Sequence, residues 1–215
     1  MDIELRQVIP FPLRDKPALP ASAVWNRNLR FLQGSFIKVQ APSGTGKTTL
    51  VHILYKLRDD YTGEVKWDTA DIGNIKDDAL AQVRQQRLSV IFQDLRLFLN
   101  LTARENIELK RILQEPYYGA EKIDEMAALL GITHILDQRA GLCSYGEQQR
   151  IAIIRALVQP FDWLLMDEPF SHLDRDNTAK ASALIARECK ERKAGFILAD
   201  LDRDTHFEYT EQLAL

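Results

Sequence analysis

The chain has 215 residues, 46% of them hydrophobic and 27% charged, with a formal net charge of −3. That length buries a substantial core, and the composition is that of a soluble globular protein. The slightly negative balance argues against a general nucleic-acid binder, and no apolar run approaches the roughly 20 residues that span a bilayer. Cys143 and Cys189 stand far apart without metal-ligand spacing and read as reduced thiols. Residues 1–6 hold no signal-peptide core, so work at a membrane would require a partner that carries the chain there.

Residues 3–5 and 29–31 are short alternating stretches, separated by Pro10, Pro12, Pro17 and Pro20. They predict strands and turns that form a small antiparallel sheet laid against a larger one. Phe11 and Trp25 fall in this region; packing against the sheet is the simpler role for either, and stacking on an adenine ring is the alternative.

An apolar run at 36–40 leads into Ala41-Pro42-Ser43-Gly44-Thr45-Gly46-Lys47-Thr48, and a helical pattern of Leu50, Ile53, Leu54 and Leu57 follows. Strand, glycine-rich loop and helix in that order are the setting of a phosphate-binding loop. Gly44 and Gly46 let the backbone curl so that N–H groups converge on phosphate oxygens. The start of the helix adds its positive end. Lys47 reaches the β- and γ-phosphates as a point charge, and Thr48 offers a hydroxyl to Mg²⁺. Ala41 stands where glycine is commoner, a change the loop pattern tolerates.

Residues 61–67 read as a turn leading into a strand. A polar segment (68–78) and a helix through Leu80, Val83 and Arg84 come next. Residues 88–92 form a buried-strand pattern ending in Gln93, which is placed to face a ligand at the carboxyl end of a sheet. From 94 to 140 the pattern is helical. Thr102 caps one helix with Glu105 as its capping-box partner, and Gly131 closes another that carries Ile123, Met126, Ala127 and Leu130. This block is long enough for a helical subdomain. Residues 143–150 open a further helix, where Ser144 and Gly146 suit either anion binding or ordinary capping.

The strand at 163–167 ends in two carboxylates. Asp167 is placed to hold Mg²⁺, usually through water, and Glu168 to take a proton from an attacking water. A polar turn, Ser171-His172-Leu173-Asp174, precedes a helix over 176–193. Residues 196–199 read as the last core strand, ending in Asp200-Leu201-Asp202. Strands alternating with helices imply a mostly parallel sheet. No sustained heptad run appears, which disfavours a coiled-coil insertion.

In this order, the segments resemble the ATP-binding cassette subunit of ABC transporters over nearly the full chain. The matching motifs are residues 41–48 (Walker A), 91–94 (Q-loop), 144–150 (signature), 164–169 (Walker B) and 171–174 (D-loop). The resemblance implies one α/β ATP-binding domain over 1–215. It would have a RecA-like P-loop NTPase core, an N-terminal antiparallel β subdomain and an inserted helical subdomain at about 94–145. It implies ATP and Mg²⁺ as cofactors. Nucleotide contacts would come from Ser43, Gly44, Thr45, Gly46, Lys47, Thr48 and Thr49, metal contacts from Thr48, Gln93 and Asp167, and catalytic groups from Glu168, Lys47 and Gln93.

It also implies partners. A second cassette, identical or related, pairs head to tail, so that Ser144 and Gly146 of one chain face the γ-phosphate bound by the other and Asp174 reaches across. A transmembrane permease completes the transporter, placing the chain in the cytoplasm on the inner face of the cell membrane; no nucleic acid is expected. Closure on ATP and opening after hydrolysis would drive transport.

The chain departs from the family pattern in several places. Cys143 and Tyr145 replace the usual leucine and first glycine of the signature, and Tyr145 crowds the γ-phosphate space. No histidine follows the last core strand directly; His206 lies further on. The adenine-stacking aromatic is open between Phe11 and Trp25. These departures predict ATP binding with slow hydrolysis, with a nucleotide-sensing regulatory or scaffold cassette as the alternative. Residues 92–98 and 101–107 resemble the group that serves lipoprotein release, macrolide export and cell division.

Overall fold

The computed structural model describes residues 1–16, 21–201 and 205–215; Pro17, Pro20 and Asp202 of the sequence reading lie outside them. In chain order the strands and helices are β1 (Ile3–Pro10), β2 (Asn28–Phe31), β3 (Phe36–Gln40), α1 (Lys47–Leu54), β4 (Tyr61–Trp67), β5 (Ala70–Asp71), α2 (Asp77–Gln86), β6 (Leu88–Ile91), α3 (Ala103–Ile112), α4 (Glu121–Leu129), α5 (Tyr145–Leu157), β7 (Trp163–Asp167), α6 (Arg175–Glu191), β8 (Gly195–Asp200) and β9 (Glu211–Ala214).

The strands make two sheets. β6-β7-β8-β3-β9 form a five-stranded sheet, and β2-β1-β4-β5 a four-stranded one. Every pairing in the first is parallel and every pairing in the second antiparallel. The apolar runs of β7 and β8 follow from burial on both faces. Trp163, Leu165, Ile197 and Ala199 pack with Leu50 and Ile53 of α1 and with the antiparallel sheet. Leu164, Met166, Phe196 and Leu198 pack instead with Ile107, Met126, Ile154 and Ile185 of the helices. Parallel strands send all their carboxyl ends to one edge, and β3 and β7, with β8 between them, therefore deliver their following loops to the same edge.

Two sequence expectations change. The run 61–67 is strand from its first residue, and Gly63 lies inside β4 rather than in a turn. β1 bulges between Arg6 and Ile9, with Gln7 at φ +49°. A Cβ on Gly63 would come within 2.4 Å of the Arg6 carbonyl oxygen and 2.5 Å of that of Gln7, so the bulge demands glycine opposite it. The second change is β9, which follows the strand read as the last. It pairs in parallel with β3 at the sheet edge, and the Thr210 amide donates to the Phe36 carbonyl at 2.8 Å.

The helix ends follow local chemistry. Thr102 and Glu105 form the predicted capping box at α3, and Gly131 takes φ +68° just beyond α4. Among the described residues no helix is long and apolar enough to cross a membrane.

Candidate nucleotide site

The loop between β3 and α1 turns through left-handed backbone at Gly44 (φ +78°) and Gly46 (φ +109°). A Cβ on Gly46 would lie 2.7 Å from Leu13 Cδ1 and 3.2 Å from Trp25 Cζ2, so side chains of the N-terminal region press on the loop from behind. Lys47 opens α1 and is 5% exposed. Its ammonium donates to the carbonyls of Ala41 at 2.8 Å and Pro42 at 3.2 Å, and lies 3.4 Å from Glu168 Oε1. The Thr45 hydroxyl donates to the Pro42 carbonyl at 2.7 Å, and the Lys16 ammonium to that of Gly44 at 3.0 Å. Ser43 and Gly44 remain exposed at the loop mouth, with Thr48 and Thr49 half-buried behind them.

β7 brings the carboxylates. Asp167 is 1% exposed, and the nearby Thr48 hydroxyl favours its charged form. Its Oδ1 is buried without a hydrogen-bond partner. Burial pushes the Asp167 carboxyl above its ordinary range; the neighbouring Glu168 charge adds to this, while Thr48 and Lys47 oppose it. A buried carboxylate oxygen lacking a partner, next to a threonine hydroxyl, fits the oxygen-ligand chemistry of Mg²⁺.

Glu168 sits in the left-handed region at φ +48°, an uncommon conformation for a side chain of this kind. Three contacts hold it there. Its amide donates to the Ala199 carbonyl at 2.9 Å, and Gln93 Nε2 donates to its Oε2 at 3.3 Å. From α5, the buried Gln149 donates through Nε2 to the carbonyls of Glu168 and Pro169. The Oε1 of Gln149 accepts the His172 amide at 3.0 Å. A cleft of about 390 Å³ opens over these groups, lined by Thr48, Gln93, Asp167, Tyr145 and His172 among others.

Lys47, Thr48, Gln93, Asp167 and Glu168 therefore converge. Ser144, Gly146 and Asp174 make none of these contacts. Ser144 caps α5: its Oγ accepts from the Glu147 amide, and the Glu147 carboxylate accepts from the Ser144 amide and hydroxyl, both at 2.8 Å. Those hydrogen bonds hold the Glu147 carboxyl below its ordinary range. Asp174 caps α6, accepting from the Asn177 amide at 2.8 Å. A Cβ on Gly146 would meet the His172 carbonyl oxygen at 3.0 Å.

The two N-terminal aromatics separate. Trp25 is 2% exposed and its indole N–H donates to the Thr45 carbonyl at 3.4 Å, so it supports the loop. Phe11 is 48% exposed, with the Arg14 guanidinium 4.0 Å from its ring centroid. His206, the distant histidine of the sequence reading, stands edge-on to Phe170 at 5.6 Å.

Sequence reasoning missed Gln149, Lys16 and His172 as parts of this site. Nothing local distinguishes a buried glutamine from an exposed one. The Ser144 and Glu147 spacing was a readable capping box.

Comparison with known proteins agrees with the motif order. The family model for the ABC transporter matches residues 25–171. The uncharacterized ABC transporter ATP-binding protein YvcR of Bacillus subtilis is 34% identical over 177 residues, covering 81% of this chain and 68% of YvcR. The lipoprotein-releasing system ATP-binding protein LolD of Saccharophagus degradans is 31% identical over 177 residues, covering 81% of this chain and 78% of LolD. A dimeric post-hydrolysis structure of the ATP-binding cassette MJ0796, bound to ADP and Pi, superposes with a TM-score of 0.80 at 27% identity over 93% of this chain and 88% of that one. The match to the family model takes in the phosphate loop, the Tyr145 helix start and the Asp167-Glu168 strand end alike, and the chain belongs to the ABC transporter family as an ATP-binding cassette.

Proposed function

We propose that the chain binds MgATP at the loop between β3 and α1 and hydrolyses it, slowly, to energise a membrane transporter. The observation that carries this reading is the convergence of Lys47, Thr48, Asp167 and Glu168 at one sheet edge. The loop amides and Lys47 bind the phosphates, with Ser43, Thr45, Thr49 and the Gly44–Gly46 turn shaping the cradle. Thr48 and Asp167 hold the cation, with Gln93 beside them. Bound Mg²⁺ supplies neutralisation of the phosphate charge. Glu168, fixed between Lys47 and Gln93, accepts the proton of an attacking water. Phe11, the more exposed of the two aromatics, stacks on the adenine ring.

A second cassette completes the site. Exposed Ser144 and neighbouring Gly146 of one chain face the γ-phosphate held by the other in a head-to-tail pair, and Asp174 lies at the contact. The dimeric state of the MJ0796 cassette supports pairing as such. The helices within 94–145 act as a subdomain that moves with the signature. A transmembrane permease anchors the pair at the cytoplasmic face of the membrane, and the likeness to LolD favours one that handles lipoprotein or a similar cargo.

A regulatory or scaffold cassette with little turnover is the second reading. It is favoured by the Tyr145 ring in the cleft and by Asp200 and Leu201, rather than histidine, at the end of β8. Steady-state phosphate release from wild type and Glu168→Gln decides between them. The transport reading expects a loss of about 10²–10⁴-fold in the variant, with ATP binding retained. Equal turnover in the two proteins removes Glu168 as the base, and equal turnover at background level favours the regulatory cassette.

A further inference from the structure

The cleft is also lined by a histidine of the 171–174 turn to which none of the readings above gives a role. His172 lies four residues beyond Glu168 in the turn before α6. Three features of α5 fix it there. Gln149, which also binds the carbonyls of Glu168 and Pro169, accepts the His172 amide at 3.0 Å. Gly146 lets the His172 carbonyl approach so closely that a Cβ would meet it at 3.0 Å. The Tyr145 ring stands edge-on to the imidazole, with 4.2 Å between centroids. The backbone of His172 is thus registered to the Glu168 turn, and Tyr145 limits the orientations of its ring.

The imidazole itself has no hydrogen bond or ion pair among the described residues, although it lines the same cleft as Thr48, Gln93 and Asp167. Two neighbouring donors are engaged. Gln93 donates to Glu168 at 3.3 Å, and Arg96 donates to Asp94 at 3.2 Å while its guanidinium covers the Phe92 ring. His52, one turn beyond Thr48 on α1, is a poor host for a proton. Burial disfavours its charged form first, and the positive charge of Arg96 adds to that. Of the cleft's uncommitted donors, which include the Tyr145 hydroxyl, His172 is the imidazole tied to the Glu168 turn, and Thr48 of the phosphate loop lines the same cleft.

We propose that His172 determines nucleotide specificity at this site, donating a hydrogen bond to the terminal phosphate of a nucleoside triphosphate whose other phosphates lie in the Lys47 loop. This rests on the ATP-binding reading above. A diphosphate anchored in the same loop stops one phosphate short and leaves His172 unengaged. The cleft therefore distinguishes triphosphate from diphosphate through a residue that takes no part in holding the loop.

Calorimetric titration of MgATP and MgADP into wild type, His172→Ala and His172→Gln tests this without reference to turnover. His172→Ala weakens ATP binding about tenfold and leaves ADP binding within about twofold, so the preference for ATP falls about tenfold. His172→Gln keeps a donor and retains most of that preference. An unchanged ATP-to-ADP ratio in His172→Ala overturns the proposal, and so does a parallel loss of both nucleotides, which marks damage to the loop. A glutamine variant as weak as the alanine variant also overturns it. Wild type that binds both nucleotides while the ratio is unmoved overturns this proposal alone. Wild type that binds neither overturns it together with the ATP-binding reading.

Discussion

The start of α1 and the start of α5 both present backbone N–H groups at a helix end, and they are finished in different ways. At α1 the contacts are tertiary. Lys47 binds two loop carbonyls and Glu168 just beyond β7, Thr48 favours the charged form of Asp167, and Trp25 and Leu13 press on Gly46 from the N-terminal region. At α5 the contacts are local. Ser144 and Glu147 satisfy each other within one turn, and Tyr145 is 46% exposed. The difference teaches that the phosphate loop is organised by the whole fold, whereas the first turn of the signature is capped from within, and Gln149 and His172 tie it to the Glu168 turn. A phosphate arriving at Ser144 from a second chain would have to compete with the Glu147 carboxylate already there.

Three substitutions break or sharpen this contrast. The largest effect is expected from Asp167→Asn, which removes the charged oxygen that has no protein partner. Titration of Mg²⁺ in the presence of ATP should show apparent metal affinity lower by about 10–100-fold. The ligand-free protein should respond in the opposite sense. The folded carboxyl titrates above its ordinary range, so native Asp167 lowers stability as pH rises through the interval between the unfolded and folded values. The variant should lose that slope and denature later than wild type at neutral pH. A variant less stable than wild type across that interval would show that Asp167 is not a desolvated charge.

Gln149→Leu comes next, because it cuts the bridge between the two helix starts. It leaves the Glu168 and Pro169 carbonyls and the His172 amide without their buried partner, a loss of about 1–3 kcal/mol by urea denaturation. An unmoved midpoint would mean that the two halves are joined by other contacts. The smallest effect belongs to Glu147→Gln, which keeps the capping geometry and removes its charge. Stability should stay within about 0.5 kcal/mol of wild type. Self-association in ATP, followed by light scattering in the Glu168→Gln background, should tighten a few-fold. Weaker association would show that the carboxylate aids the signature instead of competing with phosphate.

Much of this was legible in the residues because it depends on near neighbours in sequence. A glycine-rich loop between a strand and a helix, and two carboxylates ending an apolar strand, are local patterns, and a parallel sheet carries their ends to one edge. The features that escaped depend on distant pairing. Gly63 reads as a turn until the bulge in β1 is set beside it, fifty-odd residues earlier in the chain. β9 has one buried apolar residue, Leu213, and owes its place to pairing with β3. Phe11 and Trp25 look alike as sequence, and the close packing at Gly46 separates them. Gln149 and His172 matter because α5 crosses the Glu168 turn, a fact of packing that no spacing encodes.

The left-handed backbone at Glu168 sets fold stability and proposed chemistry against each other at a single position. Glycine adopts that conformation without steric cost, and asparagine does so more readily than glutamate. Selection or design for heat resistance alone would thus drift toward glycine or asparagine at 168, and would give a sturdier protein without the proposed proton acceptor. A stabilised relative carrying such a residue would be a cassette that grips nucleotide and does not spend it.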